Sequence, residues 1–274
     1  MTAHPALLEV CVDTVAGLHA AVDGGADRVA LYAALSVGGL TPSPGMMRRA
    51  KAVVSGTNCT VRAMIRPRAG DFTYGRDDID VMLLDMDAVA QIGLDGVIFG
   101  ANLASGDLDL ATLDLLIQKA RDLRLDAALH RSFDLSPAPL ASLEQAIDLG
   151  FTTVLTSGGA ARVPLDLTVL RNLVQGATRP DGTTALEILA AGGVTPANLD
   201  ALLACGIRGV HASCSAPVSV VSQRTADLGY LPAGLRDTDP ALVAQTRTAL
   251  DAHTASLLSA ASLLRDESSP HVVC

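Results

Sequence analysis

The sequence predicts an α/β fold, a single TIM-type (β/α)8 barrel, and three observations carry that reading. Eight short apolar runs alternate with helical patterns along the whole chain, as a parallel sheet with helical crossovers requires. A helix-stopping glycine ahead of an apolar strand recurs in "GGADRVAL", "IGLDGVIFG", "DLGFTTVLTSG" and "CGIRGVHAS", so a pair of βα units repeats four times. The 274 residues suit one closed barrel of roughly 250 residues. A doubly wound sheet would place GxGxxG after its first strand, where "CVDTVAGLHA" stands instead, and no GxxxxGKS or GxxxxGKT occurs.

The strands are expected at 7–12, 28–32, 60–66, 96–100, 126–131, 153–157, 186–190 and 209–213. In the first, Leu8, Val10 and Val12 alternate with Glu9, Cys11 and Asp13, so one face is apolar and the other carries a carboxylate and a thiol. Segments such as "LDLATLDLLIQKARDLRL" and "APLASLEQAIDLG" between strands have helical spacing. After strand 8, "CSAPVSVVSQRTADLGYLPAGLR" is too long for an ordinary barrel loop. Asp239 then caps a helix with Pro240 at its first position, running to about Leu264. The core is expected over about 7–264 with 265–274 a loose tail, and no second domain.

Composition narrows the function. Hydrophobic residues make up 49 % and charged residues 18 %, so a large core is expected rather than disorder. Net charge is −9 and no Lys/Arg block with interleaved aromatics exists, which speaks against nucleic-acid or membrane-surface partners. Five cysteines, an odd number without CxxC spacing, indicate a reducing cytoplasm rather than a disulfide framework. The N-terminus lacks a basic leader, and no apolar run reaches the roughly 18 residues that span a bilayer.

In such barrels the site lies at the C-terminal ends of the strands. Reading those ends gives Glu9 and Cys11, Arg66 and Arg68, His130, Arg131 and Asp134, Ser157 to Gly159, Gly192 and Gly193, and His211 with Ser213. Strand parity sends Glu9, Cys11, Arg62, Arg66, His130 and His211 into the lumen. Ionisable groups there must pair with each other or with a ligand, so Glu9 is either an acid/base or half of a structural ion pair. Tyr32, Phe72, Tyr74, Phe99 and Phe133 fall at the same end and are expected to roof a pocket or plug the mouth. "TSGG" (Thr156, Ser157, Gly158, Gly159) and "AAGG" (ending in Gly192 and Gly193) can expose backbone N–H groups to an anion, with Arg66, Arg68 and Arg131 near. Cys11, with His211 or Cys214, could supply soft ligands to Cu(I). HExxH, CxxC pairs and GxSxG are absent, which leaves zinc and a serine triad unsupported.

Taken in order, "LEVCVD", "GGADRVAL", "GGLTPSPG", "MIRPRAGDFTY", "VIFG", "HRSFD", "LTSGG" and "HAS" resemble the CutC family, over residues 7 to about 248. The resemblance implies a TIM barrel, a cytoplasmic location, homo-oligomers and copper homeostasis through Cu(I)-binding cysteines. Cys11 matches one familial cysteine. At the end of strand 2, where the family has its other, this chain has Tyr32, and Ala30 stands where an acidic residue precedes it. Two functions follow as expectations. The first is copper handling through Cys11, aided by Cys214 or His211. The second is a lyase or isomerase acting on a small anionic or phosphorylated carbonyl or sugar-like substrate, with Glu9, His130, Asp134 and Arg66 as its catalytic group. There Glu9 or His130 would move the proton, while Arg66, Arg68 and Arg131 hold the anion with Ser157, Gly158, Gly159, Gly192, Gly193 and His211.

Overall fold

All eight strands form: β1 (Leu7–Val12), β2 (Arg28–Leu31), β3 (Thr60–Met64), β4 (Gly96–Phe99), β5 (Asp126–Leu129), β6 (Thr153–Thr156), β7 (Glu187–Ala191) and β8 (Gly209–Ala212). They pair in parallel and in chain order, and β1 pairs with β8, so the barrel is closed. The structure is a computed structural model that describes residues 6–219, 222–230 and 234–267.

The four repeated glycines do what the motif predicts. Gly25, Gly93, Gly150 and Gly206 have φ of 90°, 80°, 93° and 97°, a left-handed turn that an L side chain resists. The residue after each (Ala26, Leu94, Phe151, Ile207) is buried, so each turn drops the chain into the outer core before its strand.

Helices cover the barrel: α1 (Val15–Asp23), α2 (Pro44–Val54), α3 (Arg76–Ile92), α4 (Leu110–Asp122), α5 (Pro139–Leu149), α6 (Thr168–Gly176) and α7 (Leu199–Ala204). Thr14, Ser43 and Asp109 cap α1, α2 and α4, their side-chain oxygens accepting from Gly17, Met46 and Thr112 N–H groups. Parity sorts the strands: Leu8, Val10 and Val12 pack into the outer core, whereas Cys11 joins Ala30, Tyr32, Met64, Ile98, Ala128, Leu155, Leu189 and Ala191 in the lumen.

The long segment after β8 is more structured than a loop. Ser215–Pro217 (β9) and Arg236–Thr238 (β10) form a small antiparallel sheet, with a short helix α8 (Gln223–Asp227) between them. Its anchor is Asp237, which accepts from Thr14 Oγ1 at 2.9 Å and so pins the excursion to the start of α1. The final helix α9 spans Pro240–Glu267, and Asp239 accepts from the Ala241 N–H as its cap. It runs past the expected end near Leu264; the rest of the predicted tail, 268–274, lies outside the described residues. Val243 and Leu250 sink its first turns into the core against α1. Among the described residues, no helix is long and apolar enough to cross a membrane.

Candidate active site

The lumen is built in layers, and its lower layer is ionic. Glu9 is wholly buried. Its Oε2 accepts from Arg28 Nε and lies 3.5 Å from Arg62 Nη1. Arg28 reaches on to Glu187 at 3.3 Å, and Arg62 donates from Nε to Asp126 Oδ2 at 2.6 Å and from Nη2 to Thr153 Oγ1 at 3.0 Å. Each buried charge thus meets an opposite one, as burial demands. Glu9 is therefore not an acid/base at the mouth: it lines neither cavity described below. Burial alone would raise its carboxyl, but Arg28 first, then His211 and Arg62, hold it far below the usual carboxylate range.

The other carboxylate oxygen faces upward. Glu9 Oε1 accepts from His211 Nδ1 at 2.6 Å, which fixes the ring and leaves Nε2 for the mouth. Desolvation would lower the His211 pKa, yet the Cys11 sulfur and then Glu9 outweigh it and lift it to about 10. At neutral pH this imidazole carries a proton. The thiol two residues beyond Glu9 on the same face of β1, Cys11, lines the same cavity as this ring.

His130 behaves in the opposite way. Its Nδ1 accepts from the Ser132 N–H at 3.3 Å, so the ring proton sits on Nε2. Burial, then the positive charge of His211, Arg66 and Arg131, pushes its pKa down to about 3. The ring is neutral, tilted against Phe72 at 5.3 Å, and is a hydrogen-bond donor rather than a base of ordinary strength.

Two cavities meet at His130 and Arg131. The larger, about 700 Å3, has Cys11, Tyr32, His130 and His211 at its depth and Arg131, Arg162 and Arg236 around it. No Asp or Glu lines it, although the chain as a whole carries a net charge of −9. The smaller, about 410 Å3, lies over Arg66, Phe72 and Asp134.

Several expected anion anchors turn out to be occupied. The N–H groups of Ser157 and Gly159 donate to the Asp134 carboxylate at 3.0 and 3.1 Å, and Thr156 Oγ1 donates to it at 2.5 Å. The "TSGG" cradle holds an internal anion, so it is not free for a phosphate, and Asp134 is a loop clamp rather than a catalytic group. Arg66 gives Nη1 to the carbonyls of Val37 and Gly39 and Nη2 to that of Gly70, and stacks on Phe72 at 4.4 Å; it ties two loops together. Arg68 lines neither cavity and pairs with Asp71 and Asp78 at 3.0 Å, correcting its reading as an anchor. Arg131 gives Nε to Asp134 at 2.9 Å and Nη2 to Ser157 Oγ at 2.8 Å, and its Nη1 lies across Gly192. Gly192 and Gly193 are at the mouth, with φ of 87° and 77°. A Cβ on them would come within 2.6 Å of Arg131 Nη1 and 2.7 Å of Arg162 Nε, so the pair exists to let two guanidiniums lie on the backbone. Of the five aromatics, Tyr32 and Phe72 line the cavities; Phe99 and Phe133 belong to the outer core, and Tyr74 packs beside it under Arg68.

Arg28, Asp126 and Glu187 were not among the candidates. Parity could have found them, since Arg28 lies two and four residues before the lumen residues Ala30 and Tyr32. Arg162 sits in a loop and Arg236 begins β10, both outside the barrel strands, where no such signal exists. As for a metal, Cys11, Cys214 and His211 all line the larger cavity, but Cys214 hydrogen-bonds to Thr246 and is pushed up to about 11 by burial. Among the described residues no three His, Cys, Asp or Glu side chains converge to hold a metal ion.

Comparison with known proteins places this geometry. The profile of the CutC family matches residues 6–216. A family protein CutC from Agrobacterium fabrum is 46 % identical over 251 residues, covering 91 % of this chain and 96 % of its own. One from Caulobacter vibrioides is 46 % identical over 256 residues, 92 % of this chain and all of its own. Among solved structures, CutC from Streptococcus agalactiae superposes with a TM-score of 0.70 at 26 % identity, over 76 % of this chain and 98 % of that one. Thiamine phosphate pyrophosphorylase from Pyrococcus furiosus, at 15 % identity and a TM-score of 0.55 over 90 % of this chain and 96 % of that one, shares the fold alone.

Proposed function

The chain belongs to the CutC family, and from that premise and the charge of its barrel mouth we propose that it is a cytoplasmic enzyme of the lyase or isomerase type acting on a small anionic carbonyl compound. One observation carries the reading: the larger cavity is lined by Arg131, Arg162, Arg236 and a protonated His211, without a single carboxylate. Arg131 and His211 already meet carboxylates outside this cavity, at Asp134 and Glu9, whereas Arg162 and Arg236 form no ion pair among the described residues, so the cavity keeps a positive lining that favours an anion.

The residues divide the work. Arg131 Nη1 and Arg162, laid over Gly192 and Gly193, hold the anionic end. His130 presents a neutral Nε2–H that polarises a carbonyl oxygen, and His211 holds a proton for the oxygen as charge develops there. Glu9 stays ionised beneath His211 and orients it. Small 2-oxo acids and sugar phosphates screened by thermal shift test the reading, with Arg162→Ala beside the wild type. At least one anion should raise the melting temperature of the wild type and do so less in the variant. If no anion shifts the wild type, the reading falls.

A second reading treats Cu(I) as cargo. The Streptococcus agalactiae relative is named for copper homeostasis, and a cysteine sulfur such as that of Cys11 is a soft ligand. It fits these residues less well: among the described residues no third donor converges, and Tyr32 occupies the position where the resemblance expects a second thiol.

A further inference from the structure

Cys11 has no place in the chemistry above, yet it sits at the floor of the cation-lined cavity with a partner arranged behind it. Three elements contribute. β1 supplies Glu9 and Cys11 two residues apart on one face, and β8 supplies His211 as the register partner of Glu9. Glu9 takes the Nδ1–H of His211, so Nε2 is left for the cavity that Cys11 also lines. Arg28 and Arg62 fix Glu9 from below. This is a nucleophile, a proton-carrying imidazole and an orienting carboxylate in sequence, the kind of arrangement used in covalent thiol catalysis. Cys11 is free of disulfide, buried but open to the cavity. Beside it Tyr32 is 2 % exposed, and its hydroxyl makes no hydrogen bond among the described residues while lining the same cavity.

We infer that Cys11, His211 and Glu9 form a nucleophilic triad whose sulfur adds reversibly to the carbonyl carbon of a small anionic aldehyde or 2-oxo acid. The step balances without an oxidant. The C–S bond forms as the carbonyl π pair moves onto oxygen. His211 gives its Nε2 proton to that oxygen and takes up the proton of the Cys11 thiol in its place, giving a hemithioacetal and leaving the imidazole protonated as before. Tyr32 and His130 are the donors placed to receive the developing negative charge. Glu9 is a positioning residue, because it touches only His211 and the lower arginines. The inference deepens the enzyme reading by naming its reacting atom.

Alkylation of the intact, reduced protein tests it, with glutathione in the same tube as the reference thiol and peptide mass spectrometry as the readout. Cys11 should be carboxamidomethylated by neutral iodoacetamide at least tenfold faster than glutathione at pH 7. Glyoxylate, an anionic aldehyde, should protect Cys11 where acetate does not. His211→Asn should bring the rate to or below that of glutathione, with circular dichroism reporting the fold. A native Cys11 no faster than glutathione, or one whose rate is the same in His211→Asn, overturns the triad, and the first outcome needs no variant to fold. Negatively charged iodoacetate separates the two claims. A preference for iodoacetate over iodoacetamide, relative to glutathione, reports the cationic mouth. Its absence with a fast iodoacetamide reaction would sink the anion reading and leave the triad standing.

Discussion

Glu9 and His211 are register partners on the two strands that close the barrel, joined by a 2.6 Å hydrogen bond from Nδ1 to Oε1. They lie 202 residues apart in sequence, so only closure brings them together. The pair couples the two halves of the lumen. Below it lie the arginines and carboxylates that keep Glu9 ionised; above it lies the cavity in which His211 presents its proton. The ionic layer fills the lower lumen and the cavity opens above it, and Glu9 joins the two through His211.

The two histidines should give stability a maximum near pH 6.5. The folded pKa of His211 is raised to about 10 from an ordinary 6.5, so its contribution is complete below pH 6.5 and is lost as pH rises toward 10. The folded pKa of His130 is lowered to about 3, so below pH 6.5 the unfolded chain gains a proton that the folded ring refuses, and stability falls toward pH 3. Melting temperature measured from pH 4 to 10 should therefore drop on both sides. His211→Asn should flatten the alkaline limb and His130→Gln the acid limb; unchanged limbs in both variants would contradict these environments.

Arg66 and Arg162 should separate stability from ligand binding. Arg66 satisfies three backbone carbonyls from two loops, so Arg66→Ala should cost about 2 kcal/mol, read by urea denaturation. Arg162 forms no ion pair among the described residues and lines the larger cavity. Arg162→Ala should leave stability within about 0.5 kcal/mol and weaken an anion that shifts the wild type by roughly tenfold. The reverse pattern would exchange their roles.

The fold was legible because its signals are local. Strand alternation, four glycine turns and Asp239–Pro240 each act within a few residues, and the structure returns each of them. Lumen-facing residues were legible through parity, which correctly turned Glu9, Cys11, Arg62 and His211 inward. Depth within the lumen was not: Glu9 and Cys11 share a face, yet one is sealed in an ionic layer and the other opens on a cavity. Height depends on how far neighbouring strands are staggered, which a single strand does not encode. Nor could the sequence show that Asp134 would fill the "TSGG" cradle, because the two sit on different loops.

That internal anion can be removed. Asp134 accepts from Thr156, Ser157, Gly159 and Arg131 with little exposure, so Asp134→Ala strands several donors and should destabilise the fold by about 3 kcal/mol. It should also create a phosphate site the wild type lacks at this loop. Inorganic phosphate ought to recover part of the lost melting temperature in Asp134→Ala, by more than it changes the wild type. No recovery up to tens of millimolar would mean the loop collapses instead of waiting open.

Copper affinity should be limited by Tyr32 rather than by Cys11. Tyr32 and Cys11 share the lumen cluster, and the tyrosine fills the place from which a second thiol would face the first. Cu(I) favours soft thiolate donors, and Cys11 is the one cysteine within this lumen cluster. The reduced wild type titrated with Cu(I) against a competing chelator should bind weakly, and Cys11→Ala should behave almost alike. Tyr32→Cys should take up one Cu(I) per chain at least a hundredfold more tightly and lose it again in the double variant Cys11→Ala, Tyr32→Cys. The exchange removes a buried ring and should cost about 3 kcal/mol, so its melting curve must be recorded beside the titration. Tight stoichiometric binding by the wild type, abolished by Cys11→Ala alone, would reverse the ranking and make copper the ligand this mouth was built to hold.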